Sequence, residues 1–301
     1  MGLSAVRIAA VSLVLSAAPA HAAPPEPTRI VVGGVELHYI SAGTGDAVIL
    51  LHGGQGDYRS WEPQMAALSR YYHVVSYSRR YHFPNKNPQT APAHSAMVDA
   101  ADLAALIKAL RLKRVNLVGT SMGAATALTL ATQHPNMVRS LVLAEPPLLG
   151  WVKRFPDGAR LYEDFMLRIQ NPAREAFAAG DDAAAMRFFV DGFASPGRFD
   201  KLSPEARLGV LQNAAFFRMM TRSENPYPDF AKGALWQLRM PVLVITGEKT
   251  NEIYRRIDEE LTKAIPRARS ATIPAAGHAS PRENPGVFTE VVENFLETSG
   301  K

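Results

Sequence analysis

Short runs of apolar, β-prone residues alternate along most of this chain with longer stretches whose apolar positions recur at helical spacing. The runs fall at residues 28–32, 35–40, 47–51, 72–76, 115–118, 141–144, 242–246 and 271–273, each bounded by turn residues. Several, such as Ala47-Val48-Ile49-Leu50-Leu51, are apolar throughout, as strands buried on both faces are. Between them, residues 97–110 carry Leu103, Leu106, Ile107 and Leu110 at helical spacing, and residues 124–132 are Ala-rich. Gly33-Gly34 separates the first two runs and predicts a leading hairpin. The alternation as a whole predicts an α/β fold: a mainly parallel, eight-stranded sheet with helices on both faces.

From residue 146 to 239 the alternation stops and only helical periodicity is left. Tyr162, Phe165, Met166 and Ile169 share one face; so do Met186, Phe189, Val190 and Phe193, and again Leu208, Leu211, Ala215 and Phe216. The pattern predicts a helical cap over 146–239, inserted into a core made of residues 28–145 and 240–298.

Composition narrows the classes. With 301 residues, 47% of them hydrophobic, the chain can bury one substantial core with a smaller lid. Residues 1–22 combine Arg7, an uncharged apolar run from Ile8 to Ala20, and Ala20-His21-Ala22 ahead of a Pro-rich patch. That is the grammar of a secretory signal peptide cut after Ala22, and it predicts a periplasmic or secreted protein. The run is shorter than the ~20 apolar residues a membrane span needs. There is no cysteine, which removes disulfides and thiolate metal sites. The net charge of +5 comes from scattered basic residues, with pairs such as Arg79-Arg80 and Arg255-Arg256 as the densest clusters, so no nucleic-acid footprint is expected. The eight histidines are dispersed with no H-x-x-H pair, and neither a metal nor another cofactor is expected.

Three segments carry chemistry. Gly119-Thr120-Ser121-Met122-Gly123 follows one predicted strand and opens a predicted helix. A serine on so sharp a strand-turn-helix junction needs glycines two residues to either side, because side chains there would meet the neighbouring strand and helix. Ser121 is therefore the candidate nucleophile. His52-Gly53-Gly54-Gln55-Gly56 follows the strand at 47–51, and a glycine turn there can aim backbone N–H groups into a cavity. Gly54 N–H and Met122 N–H are the candidate oxyanion hole, and His52 is expected to hold backbone near that loop. Gly277-His278 follows the last predicted strand, and His278 is the only histidine after His134, which makes it the candidate general base.

In these three segments the chain resembles the α/β-hydrolase superfamily, in its esterase-like members with a helical cap, and the similarity runs from about residue 28 to 296. The resemblance implies the fold strongly and the substrate hardly at all. Two departures stand out. Where many members carry a D-R-x-G-x-G-x-S-type loop, this chain has Ser78-Arg79-Arg80-Tyr81-His82-Phe83-Pro84, which would allow a narrower, more aromatic site mouth and makes His82 and Arg80 candidate substrate contacts, although loop packing is the preferred reading of these residues. Where members carry an aspartate in a G-x-x-D pattern, Gly247-Glu248-Lys249-Thr250 has threonine.

A catalytic imidazole needs a carboxylate on its second nitrogen. Glu145 ends the strand at 141–144, on the edge where strand carboxyl ends gather, and the superfamily includes members with the acid there. Glu145 is the first candidate, with Glu248 and Glu252 as rivals. The expected activity is hydrolysis of an apolar ester or lactone through an acyl-enzyme. Phe165, Phe189, Phe193, Phe216, Phe217 and Met220 point to an apolar or aromatic acyl group. C–C bond hydrolysis and cofactor-free perhydrolysis use the same residues, and a non-catalytic ligand-binding or sensory protein is the reading from another class. Epoxide and haloalkane hydrolysis are disfavoured because they need a carboxylate where Ser121 stands.

Overall fold

The computed structural model describes residues 26–91 and 94–299. The signal peptide expected over 1–22 lies outside the described residues. Eight strands form one sheet: β1 (Thr28–Val32), β2 (Val35–Ala42), β3 (Ala47–Leu51), β4 (His73–Ser78), β5 (Val115–Thr120), β6 (Val138–Ala144), β7 (Val242–Gly247) and β8 (Arg269–Ile273). Their spatial order is β1-β2-β4-β3-β5-β6-β7-β8. β2 pairs antiparallel with β1 and β4, and every other pairing is parallel. The expected architecture is therefore present, with each expected strand found and most of them a residue or more longer than the apolar run alone suggests.

Strand burial follows composition. β3 is buried at every position, as are all but the last residue of β5. On one face Leu51, Leu117 and Leu143 meet the helices Ala96–Ala109 and Met122–Gln133 through Leu103, Ile107 and Leu128. On the other, Val48, Leu50 and Val118 pack against Trp61, Phe288 and Val292, the last two from the helix Pro285–Ser299. Because the central strands run parallel, their carboxyl ends share one edge, where ligands bind in open α/β sheets. Thr120, Ala144 and Gly247 end three neighbouring strands there.

Between β6 and β7 the chain is helical, from Leu149–Val152 to Lys232–Trp236. Two of the expected apolar faces are buried, at Phe165 and Ile169 and at Met186, Phe189 and Val190. The third is corrected: Leu208 is 58% exposed. The chain breaks at Asn213 into the helices Pro204–Gln212 and Ala214–Thr221, so Leu208 and Phe216 do not lie on one face. Asn213 accounts for the break by turning its amide to the core, donating to Asp57 Oδ2 at 3.2 Å and accepting from Phe83 N–H at 2.9 Å. Among the described residues no helix is long and apolar enough to cross a membrane.

Candidate active site

Ser121 sits between β5 and the helix Met122–Gln133 with φ +50° and ψ −124°, a conformation that non-glycine residues adopt only when the surrounding structure imposes it. The two glycines make the turn possible. A Cβ on Gly119 would lie 2.6 Å from Ala124 N, and one on Gly123 would overlap the Leu51 carbonyl. The Ser121 N–H donates to Ala144 O at 2.7 Å, which ties the turn to the end of β6. Hydroxyl and imidazole then meet: Ser121 Oγ is 3.0 Å from His278 Nε2.

The other ring nitrogen, His278 Nδ1, lies 2.6 Å from Glu145 Oε2. Glu145 is fully buried and has φ +50°, so the bend directly after β6 aims its carboxylate along the sheet edge toward β7. Its two oxygens also accept from Gly247 N–H at 2.7 Å and from the Thr250 hydroxyl at 2.6 Å. A buried carboxylate needs this full set of donors, because an unpaired charge there is costly. Asp258 is close enough to feel it: burial and the neighbouring Glu145 carboxylate push the Asp258 carboxyl well above its usual range. The rivals are engaged elsewhere. Glu248 accepts from Ala275 N–H at 2.7 Å, and Glu252 reaches Arg160 at 3.3 Å on the surface.

The ring of Tyr254 stacks on His278 with centroids 4.0 Å apart. No pattern in the sequence announces that contact, since Tyr254 sits two residues past the start of the helix Glu252–Ala264 and meets a histidine distant in sequence. Thr250 did carry a signal, as the residue standing where the family's aspartate is usual.

Across from the imidazole, His52 organises the glycine turn. Its Nε2 accepts from Arg79 N–H at 3.1 Å, so the proton resides on Nδ1, which donates to Gly53 O at 2.8 Å. Gly53 C=O and Gly54 N–H belong to one planar trans peptide and point in opposite directions. Holding the carbonyl thus fixes where Gly54 N–H points. Among the described residues neither Gly54 N–H nor Met122 N–H has a partner in the protein. Burial and the adjacent Arg79 push the His52 imidazole down to about 3, which keeps it neutral and this arrangement intact.

His82 and Arg80 take up loop packing and line neither of the spaces at Ser121. His82 is fully buried behind the glycine turn, with Nε2 3.1 Å from Gly54 O and its ring 4.5 Å from both His52 and Phe216. Arg80 makes two hydrogen bonds, of 2.8 and 2.7 Å, to Asp102 on the helix Ala96–Ala109. The loop after β4 is pulled inward because Arg79 pairs with Asp99 at 2.5 Å in a fully buried site. Tyr81 goes with it onto His94, and Phe83 lies under Arg59, so neither aromatic narrows the mouth.

Two spaces meet at Ser121. One is a cavity of about 320 Å³ that Ser121 shares with His278, the glycine turn and part of the helical insertion. The other is a slot of about 10 Å³ on the Met122 side, walled by Phe165, Phe216, Phe217 and Met220 among others. Phe189, expected among the substrate-facing residues, instead supports Phe217 from behind at 4.2 Å.

Comparison with known proteins gives the family and the fold. A family model described as alpha/beta hydrolase fold matches residues 46–285. The chain is 26% identical to 2-(acetamidomethylene)succinate hydrolase of Mesorhizobium japonicum, over 89% of this chain and 94% of that protein. It is likewise 26% identical to serine hydrolase BPHL of Homo sapiens, over 89% of this chain and 86% of that protein. Among solved structures, a thermophilic esterase from Thermogutta terrifontis superposes with a TM-score of 0.74 at 21% identity, covering 92% of this chain and all of that one.

Proposed function

The chain belongs to the α/β-hydrolase family and is a hydrolase, and within that family we propose a serine esterase that cleaves a carboxylic ester, lactones included, through an acyl-enzyme on Ser121. The observation that carries the reading is the relay in which Ser121 Oγ, His278 and Glu145 are joined at 3.0 and 2.6 Å. His278 Nε2 takes the Ser121 proton, and the serine oxygen attacks the carbonyl carbon. The oxyanion is held by the N–H groups of Gly54 and Met122. His278 then gives the proton to the departing alcohol, the acyl group stays on Ser121, and a water activated by the same imidazole releases the acid. Glu145 holds the ring in the working tautomer and stabilises the imidazolium.

The apolar part of the substrate is assigned to the aromatic slot, on the strength of Phe165, Phe216, Phe217 and Met220 around it. Residues 1–22, read as a cleaved leader, put the mature enzyme in the periplasm or outside the cell. The test is a fluorophosphonate probe combined with a panel of esters. Labelling of the protein together with ester turnover supports a serine esterase, and a protein that neither labels nor turns over any ester rules it out.

A further inference from the structure

The two spaces at Ser121 are unequal, and the chemistry of acyl transfer says which part of a substrate each one takes. In the tetrahedral intermediate the oxygen of the departing alcohol must lie next to the imidazole that protonates it. His278 lines the 320 Å³ cavity and has no surface on the slot. Met122 shows the reverse arrangement. The alcohol therefore occupies the large cavity, and the acyl chain extends past the oxyanion donors into the slot. Deacylation fits the same assignment, since water must approach from the His278 side and that cavity is the roomy one.

Size then limits the acyl group. A space of 10 Å³ is about what one water-sized group needs. The slot is closed by Phe217, Met220 and Tyr254, which are buried, and by the half-buried Tyr227, which packs on Phe165, so lengthening it means displacing packed aromatics. The large cavity is in the range that holds a whole small ligand.

Charge characterises the alcohol. Five charged side chains line the large cavity: Asp57, Arg59, Arg198, Arg282 and Glu283. Asp57 and Arg59 neutralise one another through hydrogen bonds of 2.8 and 2.7 Å. Glu283 accepts from Gly277 N–H. Among the described residues Arg198 and Arg282 have neither a carboxylate nor a hydrogen-bond acceptor on their guanidinium groups. Two free guanidiniums on the wall of a substrate cavity suit a carboxylate or phosphate, which they can bind through paired N–H groups.

Resting on the serine-esterase reading, we propose that the substrate is a short-chain acyl ester, acetyl-sized, of a bulky alcohol that carries an anionic group, with the acyl methyl in the aromatic slot and the anion at Arg198 and Arg282. The experiment compares kcat/KM for the acetyl and octanoyl esters of 4-hydroxybenzoate, and for the acetyl ester of methyl 4-hydroxybenzoate as the uncharged counterpart. The full-length enzyme and an Arg198→Ala/Arg282→Ala variant are both assayed, with circular dichroism and Tm as checks on folding. Acetyl should exceed octanoyl by at least about tenfold. The ratio of the charged to the uncharged acetyl ester should fall at least about threefold in the variant, and should fall with added salt in the unmodified enzyme. Using the ratio cancels the difference in leaving-group reactivity between the two alcohols. A preference for octanoyl, or a ratio that the double variant leaves unchanged, overturns this inference while fluorophosphonate labelling of Ser121 persists. Loss of that labelling would instead remove the esterase reading on which the inference stands.

Discussion

The Thr250 hydroxyl lies 2.6 Å from Glu145 Oε2, the same oxygen that takes His278 Nδ1. The residue occupying the usual place of the acid thus acts as a donor to an acid that has moved one strand along the sheet. Glu145 and Thr250 approach from the ends of β6 and β7, and the intervening Gly247 N–H fixes the other carboxylate oxygen at 2.7 Å. Removing the hydroxyl leaves two of three donors, so Thr250→Val should lower kcat about tenfold or less, with KM nearly unchanged. Steady-state kinetics on one ester checks this.

Glu145→Gln should lower kcat by about 10² or more while Tm and circular dichroism report an intact fold, because the imidazole loses its charge partner and its fixed tautomer. Glu248→Gln should leave kcat within about twofold, since Glu248 only braces the Ala275 turn. If Glu248→Gln instead produced the large loss, the role of acid would pass to that residue.

The shared position of Thr250 and Glu145 makes the acid transferable. A carboxylate on residue 250 would end within reach of His278 Nδ1, so Thr250→Asp added to Glu145→Gln should recover at least about tenfold in kcat over Glu145→Gln alone. Thr250→Asp by itself should be harmful, because two buried carboxylates would then face each other. A double variant no better than the single one would mean that the backbone at 250 cannot aim a carboxylate at the ring.

Stability should carry a mark of His52. Its pKa is about 3 in the fold, against an ordinary imidazole value of about 6.5 in the unfolded chain. Between those values the unfolded state binds a proton that the folded state does not, so stability falls as pH drops below about 6.5, by up to ~1.4 kcal/mol per pH unit for this one group. Asp258, pushed upward, acts in the opposite sense, so the comparison must isolate His52. His52→Asn keeps an N–H donor for Gly53 O and removes the titration. Urea unfolding at pH 7 and pH 5 should show a larger loss for the unmodified protein than for the variant. Equal losses would contradict the burial of a neutral His52.

Much of this was legible because the signals are local. Apolar runs mark β3 and β5, the glycines at 119 and 123 mark the turn around Ser121, and the position of Glu145 after β6 made it a candidate before any contact was known. What escaped reading depends on partners distant in sequence. Arg80 and His82 stood open between loop packing and substrate contact because nothing in the loop reveals that Asp102 and the Gly54 carbonyl claim them. Leu208 looked buried because helical periodicity runs on through Asn213, whose amide is needed by Asp57 and Phe83 and ends the helix. Buried polar side chains are placed by the groups they must satisfy, and hydrophobic patterning carries no trace of those groups.

The central claim is that Ser121 is the nucleophile, and the most direct measurement is covalent labelling by a fluorophosphonate, read by intact mass and peptide mapping, in the unmodified protein and in Ser121→Ala. The account predicts one adduct on Ser121, none in the variant, and a fall in esterase kcat of at least about 10³. Labelling that survives in Ser121→Ala, or an adduct mapped to another residue, would contradict it.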